Sequence, residues 1–373
     1  MDSIINKTAF FFVSRDVPGG AERRFFYLFQ YLIEQGKSPH LIMNSELYEF
    51  LLKSSFDNKR NIFMTKLCKN RYFGALDFIV RSLLYIRQKK ITHVHFCVNP
   101  SIYTLALGLI GKSLGFTCSV SIVNSMIRTN NDLSKMNRWL WRNTISVVSA
   151  VDFLSPSILR NMKFIFGDVI FAARKTAVSA CSYSLRANQT REIIRKNTNK
   201  DFLVKQFDFV FASRLIPGKG VEILVEALRL CDLEGYNFRV AICGRGPLEK
   251  LILDLNLSRI DVVYFGYIDD TTDVLVSSEV ALSLQQFENY PSQFLLEAIA
   301  AGCKVIATDV GDTRLLLNDD VAYLIDYDAF TLKCTMVNVD SNRSDSLTKE
   351  QDKIISHHSV DTYAVYLEKL ISG

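Results

Sequence analysis

Between Ser283 and Asp312 the chain reads SLQQFENYPSQFLLEAIAAGCKVIATDVGD. The end of a strand, a tight turn, a short helix and another strand follow one another without room for anything else. Ser292 is a good N-cap, and Phe294, Leu295, Ala298, Ile299 and Ala301 give the apolar spacing of a helix that Gly302 ends. KVIATDV is the largely apolar run of a parallel strand covered on both faces. Asn289, Pro291 and Ser292 make the turn, and two carboxylates, Glu288 and Glu297, stand at either side of it. In open α/β sheets, the crevice at the carboxyl ends of parallel strands, beside a helix N-terminus, is where nucleotides and phosphates bind. The expected ligand is a nucleotide that carries a further group.

The rest of the chain alternates in the same way. KTAFFFVSR, AERRFFYLFQYLIEQG, SPHLIMN, a basic helical stretch from Ala75 to Lys90 and THVHFCV read as strand, helix, strand, helix, strand, which implies a parallel sheet. Polar RANQTREIIRKNTNKD, residues 186–201, has a weak core pattern and reads as a connection, after which the alternation restarts at Phe207. Beyond Asp340 the polar stretch SNRSDSLTKEQD reads as a loop before a closing helix that runs to Ile371. A chain of 373 residues is too long for one ordinary core, so two domains are expected.

The net charge of +5 conceals an asymmetry. Residues 1–190 hold 25 Lys and Arg against 11 Asp and Glu, whereas residues 191–373 hold 19 against 28. A basic first half suits nucleic acid, an anionic membrane or a phosphorylated substrate. The eight cysteines form no C-x-x-C pair, and several lie in apolar runs, so they read as small buried side chains in a reducing compartment. AFFFV is too short for a signal-peptide core and no stretch is long enough to span a bilayer. The expected location is the cytoplasm, with peripheral attachment to the inner face of the cytoplasmic membrane as an extension of that reading.

Four motifs in order resemble the retaining glycosyltransferases of family 4, which have the GT-B fold: an α/β architecture of two facing Rossmann-like domains, an interdomain cleft and a C-terminal helix crossing back to the first domain. They are VPGGAERRFFYLFQYL, FVFASRLIPGKGVEILVEAL, VAICGRGPLEKLI and the Ser283–Asp312 segment. The resemblance implies an acceptor-binding domain over residues 1–190, a nucleotide-sugar-binding domain over 191–350, and a helix at 351–373 returning to the first domain. It implies a metal-independent, retaining, hexosyltransferase-type enzyme with no cofactor. A UDP- or GDP-sugar would be the donor, and a polysaccharide or polyprenyl-diphosphate-linked saccharide the acceptor, with no role for nucleic acid. Two departures stand out. Eight residues separate Glu288 from Glu297 where the family usually has seven, and Asn124 or Ser125 stands about where the family commonly carries a histidine.

By the same resemblance, Arg214 and Lys219 form the clamp on the departing diphosphate, with Glu288 contacting the transferred sugar; these three are the candidate catalytic residues. Such a clamp stabilises charge where it develops, Arg as a planar fork and Lys as a point charge. Taken without the downstream motif, both read first as solvated loop cations. Glu297 is assigned to the ribose hydroxyls; on an apolar helix a carboxylate without partners would be costly. The backbone amides of Phe294, Leu295 and Leu296 are assigned to the distal phosphate, and Gly19 and Gly20 to close backbone approach to the same phosphate. Gly244 completes the donor-binding set, beside the base or ribose. G-R-G-P-L-E lacks the third glycine of a dinucleotide fingerprint, since Glu249 occupies its place. No carboxylate nucleophile is evident in the first domain.

Several other features read more simply. ALGLIGKS, residues 106–113, imitates a phosphate-binding loop but lies within an apolar helical run. Asp326 and Asp328 form an Asp-x-Asp in what reads as a surface turn. His93 and His95 share one face of a strand without a third ligand, and so read as histidines satisfied by their neighbours. In NDLSKMNRWLWRNTIS, Lys135, Arg138 and Arg142 accompany Trp139, which suits either an anionic membrane interface or a helix packing its tryptophans inward. The competing functional class is a catalytically silent GT-B protein that binds a nucleotide sugar or a partner enzyme.

Overall fold

Residues 8–12 are almost wholly apolar, and in the computed structural model they are buried on both sides, which fixes the centre of the first sheet. The structure describes residues 4–14, 20–51, 61–67, 71–123, 127, 129–172, 175–179, 183–196, 205–290, 292–339 and 345–372. The chain divides into two units, residues 1–180 with 360–373, and residues 181–359.

In the first unit β1 (Thr8–Phe11) leads to α1 (Gly20–Glu34), β2 (His40–Asn44), α2 (Ser45–Leu51) and β3 (Ile62–Thr65). Then come α3 (Arg71–Gln88), β4 (His93–Phe96), α4 (Ile102–Leu114), β5 (Thr117–Ile122) and α5 (Lys135–Val147). The unit's sheet is completed by β6 (Ala150–Phe153), α6 (Pro156–Phe166), α7 (Val169–Ala172) and β7 (Lys175–Val178). All pairings are parallel, in the order β3-β2-β1-β4-β5-β6-β7. Successive strand side chains point to opposite faces. Accordingly Phe10 meets Phe29 of α1 edge-on, while Phe11 meets Phe78 of α3, so α1 and α3 cover opposite faces.

The second unit opens with α8 (Leu185–Lys196), β8 (Phe207–Ala212), α9 (Val221–Leu233), β9 (Arg239–Cys243), α10 (Glu249–Leu253) and β10 (Asp261–Gly266). It continues with α11 (Thr272–Val276), β11 (Ser278–Ser283), α12 (Gln293–Ala300), β12 (Lys304–Thr308), β13 (Ala322–Ile325), α13 (Ala329–Asn338) and α14 (Asp345–His357). Its parallel order is β10-β9-β8-β11-β12-β13. Phe209, Phe211, Val240, Ile242, Val280, Leu282 and Ile306 join one core, and Val210, Ala241, Ala281, Val305 and Ala307 lie in the clusters of the other face. That period-two division explains why these strands read as unbroken apolar runs.

Two stretches differ from the expectation of loops. Residues 185–196 form α8, which puts Ala187 and Ile194 into the core clusters and pairs buried Arg191 with Asp352 of α14 at 2.6 Å. Most of SNRSDSLTKEQD lies in α14 instead of a loop, where Gln351 donates to the Cys303 carbonyl at 2.9 Å and Ile355 enters the core. Both helices are held by polar contacts from distant parts of the chain, which leave little trace in apolar periodicity. Residues 351–357 thus remain in the second unit, and the chain re-enters the first only with α15 (Val360–Ser372).

The return of α15 centres on Asp152, buried on β6. Its carboxylate accepts hydrogen bonds from Ser121 (2.7 Å), Ser179 (2.9 Å), Tyr363 (3.2 Å) and Tyr366 (2.6 Å). Burial raises its pKa, and the hydroxyl donors and Arg24 oppose that rise. From Ser121 the network runs through His95, Ser119 and His93 to Thr117, each link 2.7–3.0 Å. Both histidines are therefore satisfied by strand hydroxyls, as expected, and burial holds them neutral, at about 4 for His93 and about 3 for His95. Lys37 to Glu368 at 2.6 Å further fastens α15. Asp152→Ala would leave four buried hydroxyls short of their acceptor, and is expected to destabilise the protein by about 2–4 kcal/mol, read as a lower denaturant midpoint.

Candidate nucleotide-diphosphate site

The strand order of the second unit reverses between β8 and β11. Loops leaving the carboxyl ends of these two neighbours diverge to opposite faces and leave a crevice between them. Arg214 and Lys219 lie on the β8–α9 loop. Arg214 is exposed, and Lys219 is half-buried, its ammonium donating a short hydrogen bond to Gln285 Oε1 just beyond β11. Burial lowers the Lys219 pKa to about 8, and repulsion from Arg214 adds to the effect. The two cations are thus close enough to oppose each other, an arrangement that an anion would relieve.

Glycines make this loop possible. Gly220, at φ +90°, caps α9 against Leu284; a Cβ there would overlap the Leu284 carbonyl oxygen and would lie 2.8 Å from its carbonyl carbon. Gly218, at φ +76°, accepts from the Gln286 amide at 3.0 Å, which ties the clamp loop to the segment after β11. Gly244 and Gly246 let the loop after β9 pass beside Ser213 and Leu215, and Leu215 donates to the Arg245 carbonyl at 2.9 Å. The G-R-G turn therefore supports the clamp loop from beneath.

The turn from β11 to α12 is pinned from inside. Buried Asn289 donates through Nδ2 to the Ser283 carbonyl (2.9 Å) and to Thr308 (3.1 and 3.2 Å), and accepts from the Ser283 hydroxyl (2.8 Å). Thr308 in turn donates to the Gln285 carbonyl at 2.5 Å, which sets the residue that Lys219 contacts. Glu288 accepts at Oε1 from the amides of Tyr290 (2.9 Å) and Asp312 (3.0 Å), beside Gly311 at φ +58°. Its carboxylate holds the turn to the loop after β12.

Ser292 caps α12, accepting from Leu295 N at 3.3 Å, and its carbonyl accepts from Leu296 N at 3.4 Å. Two of the three amides assigned to a phosphate are thus engaged in the cap. Glu297 lies half-buried on α12 and accepts at Oε1 from Ser184 at 2.8 Å; the same Ser184 hydroxyl accepts from Ala187 N at the start of α8. Ser184, Gln285 and Thr308 escaped the sequence reading. Ser184 stands over a hundred positions from Glu297, before the segment that reads as a connection, and Gln285 is one of two adjacent glutamines with nothing to tell them apart. In the first unit Gly20 begins α1; Gly19, Asn124 and Ser125 lie outside the described residues, as does Pro291.

Residues 191–355, which contain every one of these second-unit side chains except Ser184, match the family described as glycosyl transferases group 1. That segment, less than half of the chain, is what the family likeness rests on. A curated relative, an uncharacterized glycosyltransferase of Methanocaldococcus jannaschii, is 26% identical over 124 residues, which are 32% of this chain and 34% of that protein. The match thus spans about a third of that relative's length. Solved structures match nearly the whole chain. A glycosyltransferase from Rickettsia africae aligns with TM-score 0.70 at 19% identity, covering 98% of both chains. Anabaena HepE in complex with UDP aligns with TM-score 0.69 at 14% identity, covering 98% of this chain and 99% of that one. Sucrose-phosphate synthase from Thermosynechococcus elongatus aligns with TM-score 0.70 at 16% identity, covering 97% of each. These likenesses establish the GT-B fold.

The remaining motifs have structural uses. ALGLIGKS lies inside α4, where Gly108 meets Val147 of α5 and Gly111 meets Phe116, so its glycines serve packing. Asp328 caps α13, accepting from Thr331 N at 2.7 Å. Cys97, Cys118, Cys231, Cys243 and Cys303 are buried and not in disulfides, while Cys68 and Cys181 lie outside the described residues.

Proposed function

We propose that this chain is a retaining, metal-independent glycosyltransferase that moves a hexosyl group from a UDP- or GDP-sugar to a polysaccharide or polyprenyl-diphosphate-linked acceptor in cell-surface polysaccharide biosynthesis. The observation that carries the reading is the Arg214–Lys219 pair at the sheet's switch point, with the Lys219 pKa lowered by burial and by its neighbour. Arg214 and Lys219 stabilise the diphosphate as the bond between the sugar and the phosphate oxygen breaks. Glu297 accepts from the ribose hydroxyls in the space Ser184 leaves it. Glu288 contacts the sugar, Gly244 lies by the base, and Gly19, Gly20 and the first turn of α12, at Leu295 and Leu296, approach the distal phosphate. Retention rests on the family resemblance alone; with no carboxylate nucleophile evident among the described residues of the first unit, the route we infer is departure of the diphosphate with attack on the same face. HepE, a structural neighbour, was solved with UDP-glucose, which favours UDP as the first donor to try.

The rival reading, a silent nucleotide-sugar binder, gains support from Glu288, whose carboxylate is engaged by the backbone of its own turn. Incubation with UDP- and GDP-hexoses separates the two: release of nucleoside diphosphate is the expected result, whereas binding with no release would favour the silent protein.

Titration gives a further prediction. Lys219 is charged below about pH 8 and loses its proton above it. A bound diphosphate favours the charged form, so affinity is expected to be flat up to about pH 7 and to fall roughly tenfold per unit above pH 8. Dissociation constants measured from pH 6.5 to 9 check this, and Lys219→Arg, which does not titrate in that range, is expected to flatten the curve.

A further inference from the structure

Ser184 opens α8 in a way that decides where its one hydroxyl proton goes. Its oxygen accepts from Ala187 N at 3.4 Å, the place of an N-cap, so the O–H points away from the helix backbone and is donated to Glu297 Oε1 of α12 at 2.8 Å. The residue is 1% exposed, and Tyr183 before it is fully buried. One turn on, Ala187 shares a core cluster with Leu295, Leu296 and Ile299 of α12. From the same first turn Arg186 donates to the Asp269 carbonyl beyond β10 at 2.5 Å, with the Asp269 and Asp270 carboxylates 3.9 Å from its guanidinium. The hydroxyl is therefore fixed both by buried packing and by a second loop of the same unit.

The consequence falls on Glu297. A glutamate on a helix samples several rotamers, and ordering it only when a ligand arrives costs affinity. Half-buried Glu297 enters the site with one oxygen already held by a rigid donor from another helix. A carboxylate oxygen accepts more than one hydrogen bond, so Ser184 need not displace a ligand hydroxyl; it fixes the plane of the carboxylate. Two neighbouring hydroxyls on one ring are read best by an acceptor whose two oxygens lie in a defined plane. A site preorganised in that way rejects an analogue that lacks one hydroxyl far more strongly than apolar contact does.

We propose that Ser184 is a positioning residue that, by holding Glu297, gives the nucleotide site its preference for ribose over deoxyribose. The inference rests on the assignment of Glu297 to the ribose hydroxyls. Calorimetric titration of the full chain with UDP and GDP establishes which of them binds. That nucleotide and its 2′-deoxy and 3′-deoxy forms are then compared in the native protein, Ser184→Ala, Ser184→Gly and Glu297→Gln. Glycine at a cap costs a helix little, so the Gly variant remains usable should the Ala variant fail to fold, and melting temperatures check both. The native protein is expected to bind the ribonucleotide about tenfold or more tighter than at least one deoxy form. In the Ser184 variants the preference shrinks to about threefold or less while the affinity for that deoxy form is kept. A Ser184 variant that retains the native preference, or that weakens all three nucleotides alike, would overturn the inference, since the hydroxyl would then be a helix cap and nothing more. Glu297→Gln is the separate check on the assignment beneath it. A native preference that survives Glu297→Gln, a native protein without preference, or no binding of either nucleotide would remove that assignment and the inference with it.

Discussion

Lys219→Ala is expected to lower the rate of sugar transfer by about 10²–10³-fold, the cost typical of removing one preorganised donor to developing charge. The loss should fall mainly on kcat, because the ammonium matters most when the diphosphate carries the charge of the broken bond. Stability should change little or rise, since Lys219 is held half-buried beside Arg214 with its pKa lowered, an arrangement the empty protein maintains at a cost. A variant that loses activity and keeps its melting temperature fits this account. A variant that transfers sugar at the original rate would show that the β8–α9 loop is an ordinary solvated turn.

Gly220→Ala is expected to have the largest effect on folding. The residue sits at φ +90° and an added methyl would overlap the Leu284 carbonyl and side chain. Both obstacles belong to the end of β11 and the core beneath it, so neither moves freely. A loss of about 3 kcal/mol or more is expected, seen as a large drop in the denaturant midpoint. Because Lys219 is the preceding residue, whatever protein remains folded should also bind nucleotide weakly. Gly36, also at positive φ but with open space around its Cβ position, is the comparison: Gly36→Ala should cost only about 1 kcal/mol, the conformational term alone.

The contrast between these two glycines indicates what a sequence can and cannot convey here. The two parallel sheets were legible because β8, β9, β11 and β12 are apolar on both faces and lie between helices of helical period. The cap of α12 was legible from Ser292, and the buried histidines from their placement on one strand face. Long-range polar contacts were not. Arg191 with Asp352 turns an apparent connection and an apparent loop into packed helices, and Asn289 locks its turn through a threonine nineteen residues away. Such pairings depend on which loops the topology brings together, and single polar residues carry no period that announces them.

The central claim is that the second unit holds a nucleoside diphosphate between Arg214, Lys219 and Glu297. Its most direct test is calorimetric titration of the protein with UDP, GDP and ADP at pH 7, alongside Lys219→Ala and Glu297→Gln. The account predicts measurable binding of at least one of the three, weakened about tenfold or more by each substitution while the melting temperature of the free protein is retained. Binding to none of the three, or binding that both substitutions leave intact, would contradict it.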